Sequence, residues 1–330
     1  MKRAILFLVI CLSVIQLAGA QARVALSVRY ALVPESPRPG EPLTVACDTY
    51  AKEAIIFAGG KQIAKAACFY IEDNGGVPCY FAAILAIPST LTSMSAVIRL
   101  NNDSGLLVEI PLTITARDFH SETLKLDPSL TSLVTTSNDR TKAESARLWQ
   151  ILTTTGDQVY HEGRFVLPIS TTRRTSRFGT RRVNEYSDGR RVTSIHAGVD
   201  FGAIKGTEVY ACGRGKIILA RERVISGNSI IIEHAPGIYS IYYHLNNIKG
   251  CVCSVSTSCA CGTIEGTIVE AGEVIGGVGS TGFSTGPHLH WELRVSTENT
   301  DPDVIVERPL LDKDSITGKL FNIQRENTAR

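Results

Sequence analysis

Hydrophobic and polar residues alternate in short runs through the first third of the chain, over residues 21–118. After a Pro-Gly turn, for example, apolar side chains recur at every second position in Leu43, Val45 and Cys47. Further apolar runs lie at 79–87, 96–100 and 106–115. Short strands divided by Asn- and Gly-rich turns predict an immunoglobulin-like β-sandwich. Because this stretch contains no histidine, we interpret it as a binding or spacer module.

The next segment, residues 119–165, changes to the spacing of a helix. Thr141 and Glu144 fit a capping box, which predicts where the helix begins. Apolar residues then recur on one face, and the helix is expected to stop near Gly156. These residues are Ala143, Ala146, Trp149 and Leu152. We interpret the segment as a helical connector that docks onto one of the domains through Trp149.

From residue 166 to 310 the chain is rich in glycine and in apolar runs of β type. Strands are predicted at 208–212, 216–220, 229–233, 239–244, 273–278 and 288–295. Residues 311–330 are expected to form a polar, partly disordered tail that buries little beyond Leu320, Phe321 and Ile323. The predicted fold class is therefore mainly β, with a sandwich, a helical connector and a C-terminal Gly-rich β-sheet domain.

Residues 1–20 have the pattern of a secretory signal peptide. Lys2 and Arg3 precede an apolar run that ends at the small residues Ala18-Gly19-Ala20. The run is short for a spanning helix, although an uncleaved anchor stays an alternative. No later stretch of the sequence is long and apolar enough to span a membrane. We therefore expect an exported protein, located in the periplasm or at the cell surface.

The charge balance gives no reason to expect nucleic-acid binding. The chain has 34 Lys and Arg against 32 Asp and Glu, and loss of Lys2 and Arg3 with the signal balances the two signs. A local basic cluster is formed by Arg173, Arg174, Arg177, Arg181, Arg182, Arg190 and Arg191. We interpret this cluster as a solvated loop, with a contact surface for an anionic polymer as the alternative.

The cysteines favour disulfides, because eight of the nine remain once Cys11 leaves with the signal, an even number in an exported chain. Four of them form a symmetric C-x-C…C-x-C pattern, Cys251, Cys253, Cys259 and Cys261. Nested disulfides that close a short hairpin are preferred over a structural zinc site for these four. Cys212 is expected to be a small buried core residue.

Two short motifs supply candidate chemistry. His196 and Asp200 have three residues between them, and His288 and His290 follow about ninety residues later. Imidazole nitrogen and carboxylate oxygen suit zinc, and a catalytic zinc keeps three protein ligands and one open position. The motifs therefore predict a Zn²⁺ site with more donors than one ion requires. Gly198 disfavours a helix, so His196 and Asp200 are expected on a turn that leads into a strand.

Strand periodicity assigns faces to the neighbouring side chains, since alternate residues of a strand point the same way. One face of the last strand is expected to carry His288, His290 and Glu292. The core face is expected to carry Leu289, Trp291 and Leu293. The same rule places His244 on the face of Ser240 and Tyr242. Ordinary hydrogen-bonded positions are assigned to His120, His161 and His234.

The motifs together resemble those of the lysostaphin/LytM family of zinc peptidases, which cut peptide bonds in bacterial cell-wall peptidoglycan. The resemblance covers about residues 190–300 and follows the family's order. The matching motifs are His196-x-x-x-Asp200, Gly227 to His234, Tyr242-Tyr-His244-Leu and Val278 to His290. The resemblance implies a zinc peptidase domain at 166–310, with His196, Asp200 and His290 as zinc ligands. It also implies that His244 and His288 are the catalytic groups beside the metal.

The implied activity is that of a zinc metalloendopeptidase acting on cross-links or stem peptides of peptidoglycan. No His-Glu-x-x-His sequence is present, so histidine takes the place of a carboxylate base. The alternatives are a non-catalytic peptidoglycan-binding or amidase-activating envelope protein, and an adhesin led by the sandwich. The intact set of five residues disfavours both alternatives. A regulatory envelope protein stays open as a partner, and the cysteine-bearing insert at 249–263, which the family pattern lacks, leaves the substrate range open.

Overall fold

The computed structural model describes residues 28–72, 80–136, 138–250 and 264–321. The predicted signal peptide and the four cysteines between 251 and 261 lie outside the described residues. Strands far outnumber helices in the described part of the chain, which confirms the mainly β fold class. None of the helices in these ranges combines the length and the apolar character needed to cross a bilayer.

The N-terminal part consists of two antiparallel sheets of four strands each. Its strands are β1 (Tyr30–Val33), β2 (Pro42–Cys47), β3 (Glu53–Ala58), β4 (Lys61–Ala67), β5 (Phe69–Ile71), β6 (Tyr80–Ala86), β7 (Met94–Asn102) and β8 (Gly105–Ile114). The strand order is β1-β2-β6-β5 in one sheet and β4-β3-β7-β8 in the other. The predicted strands are therefore present.

An apolar core lies between these two sheets, which makes the N-terminal part a β-sandwich. Leu43 and Leu85 from the first sheet are packed in the same cluster as Ile98 and Ile110 from the second. All six residues of β2 are buried, because its other face packs against the C-terminal part of the chain. The immunoglobulin-like character of the sandwich stays a prediction.

The segment predicted as a helical connector is only partly helical. It contains β9 (Ser121–Lys125), α1 (Pro128–Thr135) and α2 (Asp139–Thr153). β9 pairs in parallel with β11 (Arg181–Glu185), which also pairs with β12 (Arg191–Ile195). The connector thus contributes a strand to a three-stranded sheet of the C-terminal domain. Such a pairing between distant residues leaves no local signal in the sequence.

The start of α2 differs from the predicted one. Asn138 is the N-cap, and its side-chain oxygen accepts a hydrogen bond from the backbone N–H of Thr141. The Thr141 hydroxyl in turn accepts a hydrogen bond from the backbone N–H of Asn138. The capping box is therefore formed by Asn138 and Thr141, and the predicted pair of Thr141 with Glu144 is wrong, because the helix begins three residues earlier.

The predicted docking of the connector through Trp149 is also wrong. The side of α2 that packs on the sheet of the C-terminal part carries Leu148, Ile151 and Leu152. Trp149 is 61% exposed, and Ala143 and Ala146 are exposed with it. Leu152 was part of the predicted face and is buried as expected, but it packs with Leu148 and Ile151, at i and i+3, so the docked side is rotated away from Trp149.

The C-terminal part adds eleven strands and two helices among the described residues. These are β10 (Arg174–Ser176), β13 (Val199–Gly202), β14 (Glu208–Tyr210), β15 (Gly215–Arg223), β16 (Gly227–Ala235), β17 (Ile238–Leu245), β18 (Asn247–Ile248), β19 (Ile268–Val269), β20 (Val274–Gly277), β21 (His288–Val295), β22 (Glu298–Thr300), α3 (Asp303–Glu307) and α4 (Lys313–Phe321). The main sheet has the order β10-β13-β21-β17-β16-β15-β19, with β22 beside β21, and β14-β20-β18 form a small sheet.

The sandwich and the main sheet of the C-terminal part share a continuous apolar cluster. Ala46 and Ile84 of the sandwich belong to the same buried cluster as Leu310 and Leu311 near the end of the C-terminal part. The Thr44 hydroxyl donates a hydrogen bond to the carbonyl of Leu310 at 2.6 Å. The two parts are therefore packed against each other through apolar side chains and this hydrogen bond.

The predicted disordered tail is wrong for its first half. Residues 313–321 form α4, which buries Ile316 and Leu320 almost completely and packs beside β1. The Lys319 ammonium donates to the carbonyl of Leu32 at 3.1 Å. Ile316 was not among the residues expected to be buried, although its spacing of four residues from Leu320 places both side chains on one helix face.

Three cysteines of the described ranges, Cys47, Cys68 and Cys212, carry free thiols. Cys212 is completely buried in the apolar core of the C-terminal part, as predicted. The predicted nested disulfides fall outside the described residues and stay a prediction.

Candidate metal centre and active-site cleft

Strand register brings the two sequence motifs together. Asp200 on β13 lies directly opposite His290 on β21, and His290 lies opposite Tyr243 on β17. His196 comes just before β13, on the turn that the sequence predicted. A Cβ at Gly198 would collide with the backbone carbonyl of Trp291, so glycine is required for this turn to approach β21.

Three donor atoms converge at this position. His290 Nδ1 is 2.7 Å from Asp200 Oδ1, and His196 Nε2 is 3.1 Å from both of those atoms. All three residues are buried, with exposures of 2% for His196, 7% for Asp200 and 8% for His290. The structure therefore places the three predicted metal ligands in one cluster.

In each histidine of this cluster, the ring nitrogen that points away from Asp200, here called the outward nitrogen, has a fixed hydrogen-bond acceptor. His196 Nδ1 is 2.9 Å from the carbonyl oxygen of Arg177, and His290 Nε2 is 3.0 Å from Glu292 Oε1. Because these atoms only accept, the outward nitrogens carry protons. Once the inward nitrogens have lost theirs, their lone pairs face the position that a metal ion would occupy. Such outer partners are the usual means by which a metal-binding histidine is oriented.

The geometry fits a tetrahedral zinc ion. Bonds of about 2.0–2.1 Å in such a site place the ligand atoms about 3.3 Å apart, close to the separations of the three donors. Burial opposes ionisation, but hydrogen bonds from His196 and His290 hold the pKa of Asp200 well below its usual range. Burial is likewise outweighed at His290, where Asp200 and Glu292 raise the pKa to about 9. Binding of a metal ion here would therefore displace a proton.

The two remaining predicted histidines lie beside this cluster. The rings of His244 and His288 have centroids 4.8 Å apart, and His288 Nε2 is 3.8 Å from Asp200 Oδ1. His244 Nδ1 donates to the carbonyl of Thr281, and His288 Nδ1 donates to the carbonyl of Gly286, both at 2.8 Å. In the neutral form, each ring therefore keeps its lone pair on Nε2. Burial, aided by His288 and His290, lowers the pKa of His244 to about 3.

The predicted face of His244 is wrong for a backbone reason. His244 has φ +60°, a left-handed conformation that is rare for residues other than glycine. Strand alternation would place its ring with Tyr242 in the core, but the left-handed backbone places the ring beside His288 and His290 in the cleft. Backbone outliers of this kind concentrate at functional sites. The predicted faces of β21 are confirmed, since Leu289, Trp291 and Leu293 are completely buried in the core.

Two residues of the site were seen in the sequence but given no role there. Tyr243 stacks on His290, with ring centroids 5.5 Å apart and planes 7° from parallel. Glu292 bonds both His290 and Arg294. Alternation had placed Glu292 on the metal face, but its function as the partner of His290 depends on a distance that only the structure gives.

The arginine cluster occupies β10, β11 and β12 and the turns beside them rather than one loop. Several members are paired with acids, as in Arg174 with Asp303 and Arg190 with Asp188. Arg182 bonds Glu122 and Asp200, and so it joins the cluster to the metal centre. The sequence did not indicate this contact, because Glu122 lies sixty residues away on the connector.

A cleft of about 680 Å³ opens over the metal centre. It is lined by all five predicted site residues, by the loop at 283–287 and by Glu122 and Leu124 of β9. The other histidines lie elsewhere, and His234 is buried against Ser240 and the carbonyl of Arg214. The cleft is large enough for several residues of a peptide chain.

Comparison with known families agrees with this site. The sequence model of peptidase family M23 matches residues 194–302, the stretch that contains the three clustered donors and both cleft histidines. The chain therefore carries a peptidase domain of family M23. This confirms the predicted resemblance to lysostaphin-type peptidases.

Several named relatives each match about a third of the chain. The chain is 40% identical over 108 residues to the DD-carboxypeptidase/endopeptidase Mpg of Neisseria meningitidis serogroup B, covering 33% of this chain and 22% of that protein. It is 35% identical over 106 residues to the peptidoglycan DD-endopeptidase ShyB of Vibrio cholerae, covering 32% and 22%. It is 37% identical over 107 residues to lysostaphin of Staphylococcus staphylolyticus, covering 31% and 19%. The chain thus spans about a fifth of the length of these relatives.

One solved structure is similar over most of the chain. A crystal structure from Pseudomonas aeruginosa assigned to peptidase M23 has a TM-score of 0.56 and 20% sequence identity. The similarity covers 82% of this chain and 94% of that one. It extends well beyond residues 194–302, so the arrangement of the sandwich and the peptidase sheet recurs in another protein.

Proposed function

We propose that this protein is an exported, zinc-dependent endopeptidase that hydrolyses peptide bonds in peptidoglycan cross-links or stem peptides. The observation that carries the proposal is the convergence of His196 Nε2, Asp200 Oδ1 and His290 Nδ1 beside two further histidines in one open cleft. Three ligands with a free fourth position, next to groups that can move a proton, are the parts that metal-assisted hydrolysis requires.

His196, Asp200 and His290 would hold the ion. Zinc, when bound, polarises a carbonyl group and lowers the pKa of a water molecule toward neutrality. The chain itself supplies proton transfer: with a neutral ring, the Nε2 atom of His244 or of His288 can accept a proton from the attacking water. Once protonated, the same nitrogen can donate to the oxygen that gains negative charge or to the departing amine.

The relatives and the sequence together support the proposed substrate class and location. ShyB is a peptidoglycan DD-endopeptidase, which supports peptidoglycan as the substrate of this cleft. A substrate in the envelope requires export, and the signal pattern at 1–20 supports export to the periplasm or cell surface. A regulatory protein of the envelope is a compatible partner.

Digestion of purified peptidoglycan tests the proposal. Soluble peptides released by the zinc-loaded protein are identified by mass spectrometry, with the His290→Ala protein as the matched control. We expect peptides with a newly formed amino terminus from the unaltered protein and none from the variant. If both proteins bind peptidoglycan and neither releases peptides, the non-catalytic binding protein is the correct function.

A further inference from the structure

The three-stranded sheet of β9, β11 and β12 contacts the metal centre through Arg182. In the parallel pair of β9 and β11, Glu122 lies opposite Arg182, and in the main sheet Ser176 lies opposite Asp200. Two cross-strand pairs from different sheets therefore meet at the guanidinium.

The contacts at this meeting point form a closed network. Arg182 Nε donates to Glu122 Oε1 at 2.6 Å, and Arg182 Nη2 donates to Ser176 Oγ at 2.8 Å and to Asp200 Oδ2 at 3.1 Å. The Ser176 hydroxyl completes the network by donating to Glu122 Oε1 at 3.2 Å. The side chains of Arg182 and Asp200 are only 17% and 11% exposed, so the contact is shielded from water.

The two oxygens of Asp200 thus have separate partners. Oδ1 lies with the ring nitrogens of His196 and His290, whereas Oδ2 lies with the guanidinium of Arg182. A guanidinium presents donors in a rigid planar fork, so one side chain can fix Glu122 and Asp200 at the same time. Removing the guanidinium would free Oδ2 to turn toward the ion as well.

We propose that Arg182 is a positioning residue for the zinc site. Its guanidinium holds Asp200 Oδ2, so that Oδ1 alone is presented to the ion, and Glu122 on the connector holds Arg182 in place. This inference rests on the proposed zinc site. Glu122, Ser176 and Arg182 all lie outside the stretch 194–302 that matches the family. The connector strand is therefore part of the metal centre's support, and its role is larger than that of a spacer.

Zinc affinity in the full chain provides the first test. We expect Arg182→Ala to lower the affinity about 10–100-fold, measured by competition with a chromophoric chelator, because loss of an outer partner has this effect in other sites. Glu122→Gln and Arg182→Lys are expected to cause smaller losses. The control is Arg191→Ala on the same hairpin, since Arg191 pairs with Glu185 at 3.3 Å and is 62% exposed. That variant is expected to bind zinc unchanged.

Cobalt substitution separates positioning from general structural support. Freeing Oδ2 would raise the coordination number, and the visible bands of Co²⁺ weaken when a tetrahedral site gains a ligand. We expect weaker bands in Arg182→Ala and unchanged bands in Arg191→Ala. A lowered melting temperature with an unchanged cobalt spectrum and zinc affinity would overturn the proposal. If Arg182→Ala fails to fold by circular dichroism, Arg182→Lys and Glu122→Gln decide by the same criteria. Failure of the unaltered protein to bind zinc would overturn the proposed function itself.

Discussion

Replacing Glu292 by glutamine is expected to weaken zinc binding without removing any ligand. The buried Glu292 carboxylate accepts hydrogen bonds from His290 Nε2 at 3.0 Å, Arg294 Nε at 2.8 Å and Asn299 Nδ2 at 3.1 Å. Burial opposes its ionisation, but Arg294 and His290 hold the pKa of Glu292 well below its usual range. Glutamine has one acceptor oxygen and a donor NH₂ group, so a donor would face another donor.

The charged Arg294 is the stronger partner and is expected to keep the amide oxygen, which leaves the NH₂ group facing His290 Nε2. The ring then favours the tautomer with its proton on Nδ1, the atom that faces the ion. Loss of an outer partner lowers metal affinity about 10–100-fold, or about 1.4–2.7 kcal/mol at about 1.4 kcal/mol per tenfold. Loss of the negative charge leaves the buried charge of Arg294 uncompensated, which is expected to cost a further ~3–5 kcal/mol of unfolding free energy.

Isothermal competition with a chelator measures the zinc affinity of Glu292→Gln, and denaturant unfolding measures its stability. The control is Glu270→Gln, because Glu270 pairs with Arg214 at 3.0 Å on the surface and is 67% exposed. Glu270→Gln is expected to change the free energy of unfolding by no more than about 0.5 kcal/mol and to leave zinc affinity unaltered. A Glu292→Gln protein that binds zinc as tightly as the control would refute the argument from the tautomer.

Three further predictions concern the cleft, the turn and the connector. His244→Ala and His288→Ala are each expected to lower turnover about 10²–10⁴-fold while stoichiometric zinc is retained; zinc loss on gentle dialysis would reverse the assignment of base and ligand. Gly198→Ala is expected to destabilise the domain and lower its zinc content, because the new Cβ collides with β21. A melting temperature equal to that of the unaltered protein would contradict this prediction. Leu152→Ala should cost about 2–5 kcal/mol in denaturant unfolding, and Trp149→Ala less than about 0.5 kcal/mol; the reverse order would contradict the observed docking face.

The sequence was most informative where local rules decide the structure. Alternation along β21 places His288, His290 and Glu292 on one face because a regular strand leaves no other choice. His244 shows the limit of that rule, since a single positive φ moves its ring to the other side. Residue types and spacing predicted a Zn²⁺ site with more donors than one ion requires, and the family resemblance selected His196, Asp200 and His290, which the structure brings into one cluster.

The connector shows what the sequence could not indicate. Its strand β9 pairs with β11 about sixty residues away, and only that pairing brings Glu122 to Arg182. Helix α2 was foreseen, but its docking face was not, because the choice between Trp149 and Ile151 depends on the shape of the sheet that receives it. Long-range strand pairing and packing between distant elements are tertiary effects that override local pattern.

The most direct test of the central claim is peptide release from purified peptidoglycan as zinc is returned to the chelated protein in measured amounts. The account predicts no release after chelation and full release at about one zinc per chain, since one ion is held by three ligands. Asp200→Ala is predicted to stay inactive at the same zinc level. Release that persists in the chelator, or in Asp200→Ala, would contradict the account.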